Sequence, residues 1–125
     1  MRPAQPSVAL TLTALAISLA AQALAAFPAH AADPAYVGTW ASDLAQCSVA
    51  QDRPEAPLVI SKDGYDQHET HCRFTSVEGE DGDWRVTSVC TVEGSTQPYD
   101  FTLTVSGATL TVTDETGSRD LLSCG

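Results

Sequence analysis

Apolar and hydroxyl-bearing residues alternate along one stretch near the C-terminus, residues 101–113, FTLTVSGATLTVT. A period of two is typical of a β-strand that buries one face and exposes the other. A two-residue turn at Ser106-Gly107 would fold the stretch so that Leu103 faces Leu110 and the threonines pair on the opposite face. We therefore predict an antiparallel hairpin here, with its register set by the apolar face.

A second hairpin is predicted between residues 72 and 92, where two strand-like stretches flank a loop of glycine and acidic residues. If Val77 pairs with Arg85, then Cys72 lies opposite Cys90. Most apolar side chains of the second stretch then share one face, as a half-buried antiparallel strand requires.

Short strand patterns bounded by turn residues recur along the rest of the chain. One helical turn is predicted over residues 42–47, where Asp43 and Gln46 have the spacing of a capping box. Further strands are predicted over residues 35–41, 58–60 and 118–123. With seven or eight short strands and no long helical pattern, we expect an all-β fold, a small antiparallel meander barrel.

The first 31 residues have the features of a secretory signal peptide. Arg2 precedes an uncharged run rich in alanine and leucine, residues 8–26, and Ala29-His30-Ala31 is an A-x-A cleavage signal. An uncleaved membrane anchor is the alternative, but the run is short and alanine is a weak membrane residue. We predict a signal peptide over residues 1–31, a β domain over residues 32–125, and a periplasmic or secreted location.

All four cysteines fall in the predicted β domain, at Cys47, Cys72, Cys90 and Cys124. An even number in a short exported chain predicts two disulfides, which also supplement the small core of such a domain. The hairpin register pairs Cys72 with Cys90, and closure of a meander brings Cys47 and Cys124 together. The alternative of a zinc site lacks any C-x-x-C spacing.

The chain is strongly acidic, with 16 Asp and Glu against 6 Lys and Arg and a net charge of −10. Loss of Arg2 with the signal peptide would make the mature protein more acidic still. Nucleic acids and anionic lipids need a basic surface, so we expect neither as a partner, and no membrane association after signal cleavage. The charge serves solubility or favours cationic partners.

The cluster His68-Glu69-Thr70-His71-Cys72 contains metal-ligating residue types. Its histidines are three apart, whereas zinc-binding helices of the H-E-x-x-H type place them four apart, and on a strand they would point to opposite faces. The acidic loop of the second hairpin lacks the pattern of a calcium loop. With no G-x-S-x-G motif and no cysteine expected to be free, we predict no metal, no cofactor and no catalytic residues, and hence a protein that is not an enzyme.

Gly38-Thr39-Trp40, in the first predicted strand, resembles the Gly-x-Trp signature of lipocalin-like barrels. The resemblance implies that Trp40 plugs one end of the barrel and that Arg119, near the last strand, packs across its indole, a favourable cation–π arrangement. Bacterial exported metalloprotease inhibitors of the same barrel type begin in a similar way and carry a disulfide.

These features predict an exported non-catalytic binding module, with an inhibitor of a secreted hydrolase as one form. The first alternative is a small-molecule binder that uses a shallow barrel mouth near Trp84 and Tyr65. The second is a structural protein of the cell envelope. A filled barrel with an exposed apolar patch would favour a protein partner, and an apolar-lined pocket would favour a small molecule.

Overall fold

The computed structural model describes residues 32–125 together with residues 3 and 4. The predicted signal peptide therefore lies, apart from two residues, outside the described part of the chain. Eight strands and one short 3₁₀ helix, Leu44–Ser48, make up the described fold. The strands are β1 (Gly38–Ala41), β2 (Leu58–Ile60), β3 (Gly64–Gln67), β4 (Thr70–Glu80), β5 (Asp83–Val92), β6 (Ser95–Ser106), β7 (Thr109–Asp114) and β8 (Gly117–Ser123).

Each strand pairs antiparallel with the next one along the chain, and β1 pairs with β8 to close the sheet. The prediction of an all-β antiparallel meander barrel is confirmed, with eight strands. Within the described residues, no helix combines the length and the apolar character needed to cross a bilayer.

The strands alternate between a buried inner face and an exposed outer face, as the sequence pattern predicts. In β5, for example, Trp84, Val86, Ser88 and Cys90 are buried and the residues between them are not. The inner faces of the barrel and Tyr36, which precedes β1, form one hydrophobic core.

The hairpin of β6 and β7 forms with a turn at Gly107-Ala108, so the predicted turn at Ser106-Gly107 was wrong by one residue. Leu103 consequently pairs with Val112 and not with Leu110. Glycine supplies the positive φ of +58° at the first turn position, which serine disfavours. Because the pairing moves by two residues, the residues that remain in the strands keep their predicted faces, whereas Ala108, predicted opposite Val105, lies in the turn and is exposed.

The hairpin of β4 and β5 contains a β-bulge between Phe74 and Ser76. The extra residue shifts the pairing, so Val77 lies opposite Val86 and the predicted pairing of Val77 with Arg85 was wrong. The bulge places the Val77 side chain on the same face as the buried Val86.

Both predicted disulfides are confirmed. Cys72 and Cys90 face each other across β4 and β5, with Cα atoms 4.0 Å apart. Cys47, in the 3₁₀ helix, bonds to Cys124 directly after β8, with Cα atoms 5.6 Å apart. The second disulfide therefore lies beside the junction of β1 and β8 that closes the barrel.

The predicted helical turn forms as the 3₁₀ helix between β1 and β2, with the capping box in place. The Asp43 side chain accepts a hydrogen bond from the Ala45 amide at 2.8 Å, and the Asp43 amide donates to Oε1 of Gln46 at 3.3 Å. These bonds satisfy amides that the short helix cannot pair internally.

Candidate functional site

The barrel interior contains a continuous row of aromatic rings. The row includes Tyr65 and Trp84, the two predicted ligand contacts. Ring centroids lie 5.0 Å apart for Trp84–Tyr36, 6.4 Å for Tyr36–Phe74, 5.8 Å for Phe74–Phe101 and 4.9 Å for Phe101–Tyr99. Tyr65 packs against Phe74 and Phe101, with centroids 6.4 and 5.9 Å away. Side chains thus fill the space that a ligand-binding barrel would keep open.

Trp40 lies at the end of the barrel where β1 begins, and its side chain belongs to the core at 4 % exposure. Its indole Nε1 donates a hydrogen bond to the Tyr36 carbonyl at 2.9 Å, and its ring lies beside Gly38. A buried indole with its N–H bonded is well suited to fill the end of a small barrel.

Arg119 lies in a different part of the barrel from Trp40. On β8 it is four residues before Ser123, the residue that pairs with Trp40, which corresponds to about 13 Å along the strand. Arg119 instead lies close enough to Tyr65 and Tyr99 to offset part of the rise that burial causes in the pKa of each hydroxyl. The structure therefore places Arg119 near these tyrosines, and the packing of its guanidinium on the Trp40 indole stays a prediction of the lipocalin-like resemblance.

The end of the barrel opposite Trp40 carries a hydrogen-bonded cluster around Asp114. Tyr99 donates its hydroxyl proton to Oδ2 of Asp114 at 2.5 Å, and Oδ1 accepts from the amide and the hydroxyl of Thr116 at 2.8 and 2.5 Å. The Thr116 hydroxyl, then the Tyr99 hydroxyl, then the Thr116 amide hold the pKa of Asp114 down to about 2. Burial, followed by the bond to Asp114, raises the pKa of Tyr99.

The sequence prediction did not include Tyr99 or Asp114 as site residues. The one local signal was the spacing of Asp114 and Thr116, which suits a side-chain-capped turn between β7 and β8. The contact between Tyr99 and Asp114 depends on how β6 pairs with β7, and no local sequence pattern predicts it.

The two histidines of the predicted β domain contact different partners. The Nδ1 of His68 lies 3.2 Å from the Gln51 carbonyl, in the turn after β3. The Nδ1 of His71 lies 2.7 Å from Oδ1 of Asp66 on the neighbouring strand. Within residues 32–125, no three histidine, cysteine, aspartate or glutamate side chains lie close enough to hold a metal ion.

β4 extends past the end of β3 and leaves a strand edge open. β3 pairs with β4 only as far as Arg73, and the last bond on that side runs from the Phe74 amide to the Asp63 carbonyl at 2.8 Å. Within the described residues, the remaining six residues of β4, residues 75–80, have a strand partner only in β5. We call residues 75–80 the β4 edge. Strands of a closed barrel are normally paired on both sides, whereas the β4 edge is paired on one side.

The β4 edge is exposed and acidic. Val77, at 36 % exposure, is one of four large apolar residues exposed in the described chain, and the others are Leu44, Val59 and Leu122. The carboxylates at and beside the tip of the hairpin are Glu78, Glu80, Asp81 and Asp83. Arg85, which pairs with Glu78, is the basic residue among them. The β4 edge is therefore a short strand with one apolar side chain in an anionic surrounding.

The chain matches no protein-family model, no curated protein and no solved structure. The function proposed below therefore rests on the geometry of the chain itself.

Proposed function

We propose that this protein is an exported, non-catalytic binding module whose partner is another protein. The observation that carries the proposal is the row of aromatic rings in the barrel interior, which includes both predicted ligand contacts. Aromatic side chains in the interior favour recognition by the outside of the barrel. The outside offers the β4 edge, an exposed strand edge of the kind that binds extended segments of other proteins.

Two disulfides support an oxidising compartment, since disulfides persist in the periplasm and outside the cell. The signal-like pattern of residues 1–31 supports the same location. The proposal is accordingly that the module acts in the periplasm or after secretion.

We also propose that the chain is related to lipocalin-like barrels. The closed eight-stranded meander and the Gly38-Thr39-Trp40 start support this relationship. An inhibitor of a secreted hydrolase is the form of binding module that this relationship favours, because exported inhibitors of this barrel type share the start and the use of a disulfide.

A small-molecule binder remains a second candidate, and the cluster around Asp114 is the observation in its favour. Asp114 and Arg119 line a shallow depression at the end of the barrel opposite Trp40. Opposite charges of this kind could orient a small polar ligand. Among the described residues, Val112 is the one large apolar residue in the lining of the depression, whereas most small-molecule sites have predominantly apolar walls.

The experiment that tests the proposal is partner capture with matched folded and unfolded bait. The full chain is expressed, the disulfide-bonded product is immobilised, and soluble exported proteins of the same host are passed over it. The reduced and alkylated protein is the control bait. We expect saturable binding of a defined protein to the folded bait, to be verified by calorimetry with that protein purified. If the folded bait retains no protein but a small-molecule extract raises its melting temperature, the second candidate replaces the first.

A further inference from the structure

We infer that the β4 edge is the docking site, and that it binds an extended, basic segment of the partner protein by adding it as a strand. This inference rests on the proposed function and specifies its partner. In strand addition, main-chain hydrogen bonds hold the segment, and contacts to alternate side chains select it. Residues 75–80 span about 20 Å, which is room for a segment of five or six residues.

The backbone groups of the β4 edge point in the direction that strand addition needs. The Thr87 carbonyl faces β4, because it accepts a hydrogen bond from the Thr75 hydroxyl at 3.1 Å. Thr87 pairs with Ser76, so the amide and carbonyl of Ser76 face β5. Backbone groups of successive strand residues point alternately to the two sides. The amides and carbonyls of Val77 and Gly79 therefore point to the open side, away from β5. A segment bound there would lie in line with β3 and antiparallel to β4.

The charge around the β4 edge selects a basic segment. Four carboxylates surround the tip of the hairpin, at Glu78, Glu80, Asp81 and Asp83, with Arg85 as the guanidinium among them. At the base of the edge, Lys62 and Asp63 carry opposite charges and Arg73 is exposed, so the acidic surface is confined to the tip of the hairpin. Lysine or arginine side chains on an added strand would lie opposite these carboxylates, where unlike charges stabilise cross-strand pairs.

The same charges argue against a second copy of this chain as the occupant. Two β4 edges placed side by side would bring together two acidic hairpin tips, each on a chain with a net charge of −10. Charged side chains and bulges protect strand edges against self-association, and β4 carries both. The carboxylates therefore exclude like chains while attracting basic ones.

The decisive probe is a labelled hexapeptide of alternating valine and lysine, with an alternating valine and glutamate peptide as its control. Binding to the disulfide-bonded protein is followed by fluorescence anisotropy, and amide exchange locates the site. We expect the basic peptide to bind and to protect amides within residues 75–80, and its affinity to fall as salt rises. Protection elsewhere, or equal binding of both peptides, would overturn the inference.

Two variants test the edge from independent directions. Val77→Pro removes an amide that points to the open side, a position where an edge strand accepts proline, and should weaken peptide binding about tenfold. Val77→Thr, which keeps the amide, should weaken binding less than Val77→Pro does. Val59→Thr, at an exposed apolar position on β2 away from the β4 edge, is the control and should bind as the unmodified protein does. If Val77→Pro fails to fold, the double variant Glu78→Lys with Glu80→Lys tests the inference instead. This variant should prefer the acidic peptide to the basic one. An unchanged preference in that variant contradicts the inference.

The two proposals fail in different ways. A protein partner captured equally by the unmodified protein and by Val77→Pro overturns strand addition at β4 and leaves the binding module standing. A folded bait that captures no protein overturns the proposed function. A chain that sediments as a dimer with residues 75–80 already protected in the absence of peptide identifies a second copy as the occupant and overturns the basic segment.

Discussion

The Tyr99 hydroxyl and Oδ2 of Asp114 lie 2.5 Å apart and join β6 to the end of β7 across fifteen residues of sequence. The bond places a neutral donor against a carboxylate that also accepts two bonds from Thr116. An ionised Asp114 is therefore part of the folded structure at neutral pH.

The first prediction concerns acid stability. The pKa of Asp114 is lowered from 3.8 to about 2 in the folded protein. A group with a lowered folded pKa stabilises the fold above its unfolded pKa and loses that contribution as the pH falls to its folded value. We expect the melting temperatures of the unmodified protein and of Asp114→Asn to converge between pH 4 and pH 2, measured by circular dichroism. Glu115→Gln is the matched control and should show no convergence of this kind.

A second prediction isolates the contribution of Tyr99. Tyr99→Phe removes one of the three donors to Asp114, so the pKa of Asp114 should rise towards 3.8 in an NMR titration of its carboxyl carbon. The Thr116 bonds remain, so the rise should be partial. An unchanged pKa would mean that the Tyr99 hydroxyl does not donate to Asp114 in solution.

The third prediction tests which faces of β6 are buried. Leu103 is almost completely buried and pairs with Val112, so Leu103→Asp places an unpaired charge in the core and should cost about 4 kcal/mol or more. Thr102→Asp lies on the outer face opposite Arg85 and should change stability by less than about 0.5 kcal/mol. Urea unfolding measures the cost of both substitutions, and equal costs would contradict the assignment of Leu103 to the inner face and Thr102 to the outer face.

The fourth prediction concerns Trp40. Trp40→Ala removes a buried indole and its bond to the Tyr36 carbonyl, and should cost about 3 to 5 kcal/mol in free energy of unfolding. Trp40→Phe keeps much of the packing and should cost less. Thermal stability that is unchanged in Trp40→Ala would show that the indole is not part of the end of the barrel.

The fifth prediction ranks the disulfides. In the chain-entropy model the Cys47–Cys124 bond, which spans 77 residues, contributes about 4.5 kcal/mol, and the Cys72–Cys90 bond, which spans 18, about 3 kcal/mol. The pair Cys47→Ser with Cys124→Ser should therefore lower stability more than the pair Cys72→Ser with Cys90→Ser. Denaturant titration gives the order, and non-reducing peptide mapping of the unmodified protein checks the pairing.

The barrel could be predicted because its strands bury one face. Alternation in β6 and β7 determines which side chains point inward, and an error of two residues in the register leaves that assignment unchanged. The disulfides followed from the same patterns, since Cys72 and Cys90 lie opposite each other in a hairpin and Cys47 and Cys124 flank the two strands that close a meander.

The candidate site could not be predicted in the same way. The β4 edge exists because β3 begins only at Gly64, opposite Arg73, while β4 continues to Glu80, and local patterns do not fix how far two neighbouring strands pair. The bulge after Phe74 changes the face of Val77 without any mark in composition. The place of Arg119 depends on the pairing of β8 with both of its neighbours, which a resemblance of three residues at β1 does not determine.

The closing junction of the barrel has a consequence for how the chain folds. β1 meets β8 through two residue pairs, Trp40 with Ser123 and Ala41 with Leu122, and through a bond from the Cys124 amide to the Thr39 carbonyl. The strands of every other pair are neighbours in sequence and can pair early in folding through local contacts. β1 must wait for β8, the last strand of the barrel to be made, and until then the incomplete sheet has two free edges. We therefore expect closure of the ring, the least local pairing in the barrel, to be the slowest step, and the Cys47–Cys124 disulfide holds the two strands together once they have met.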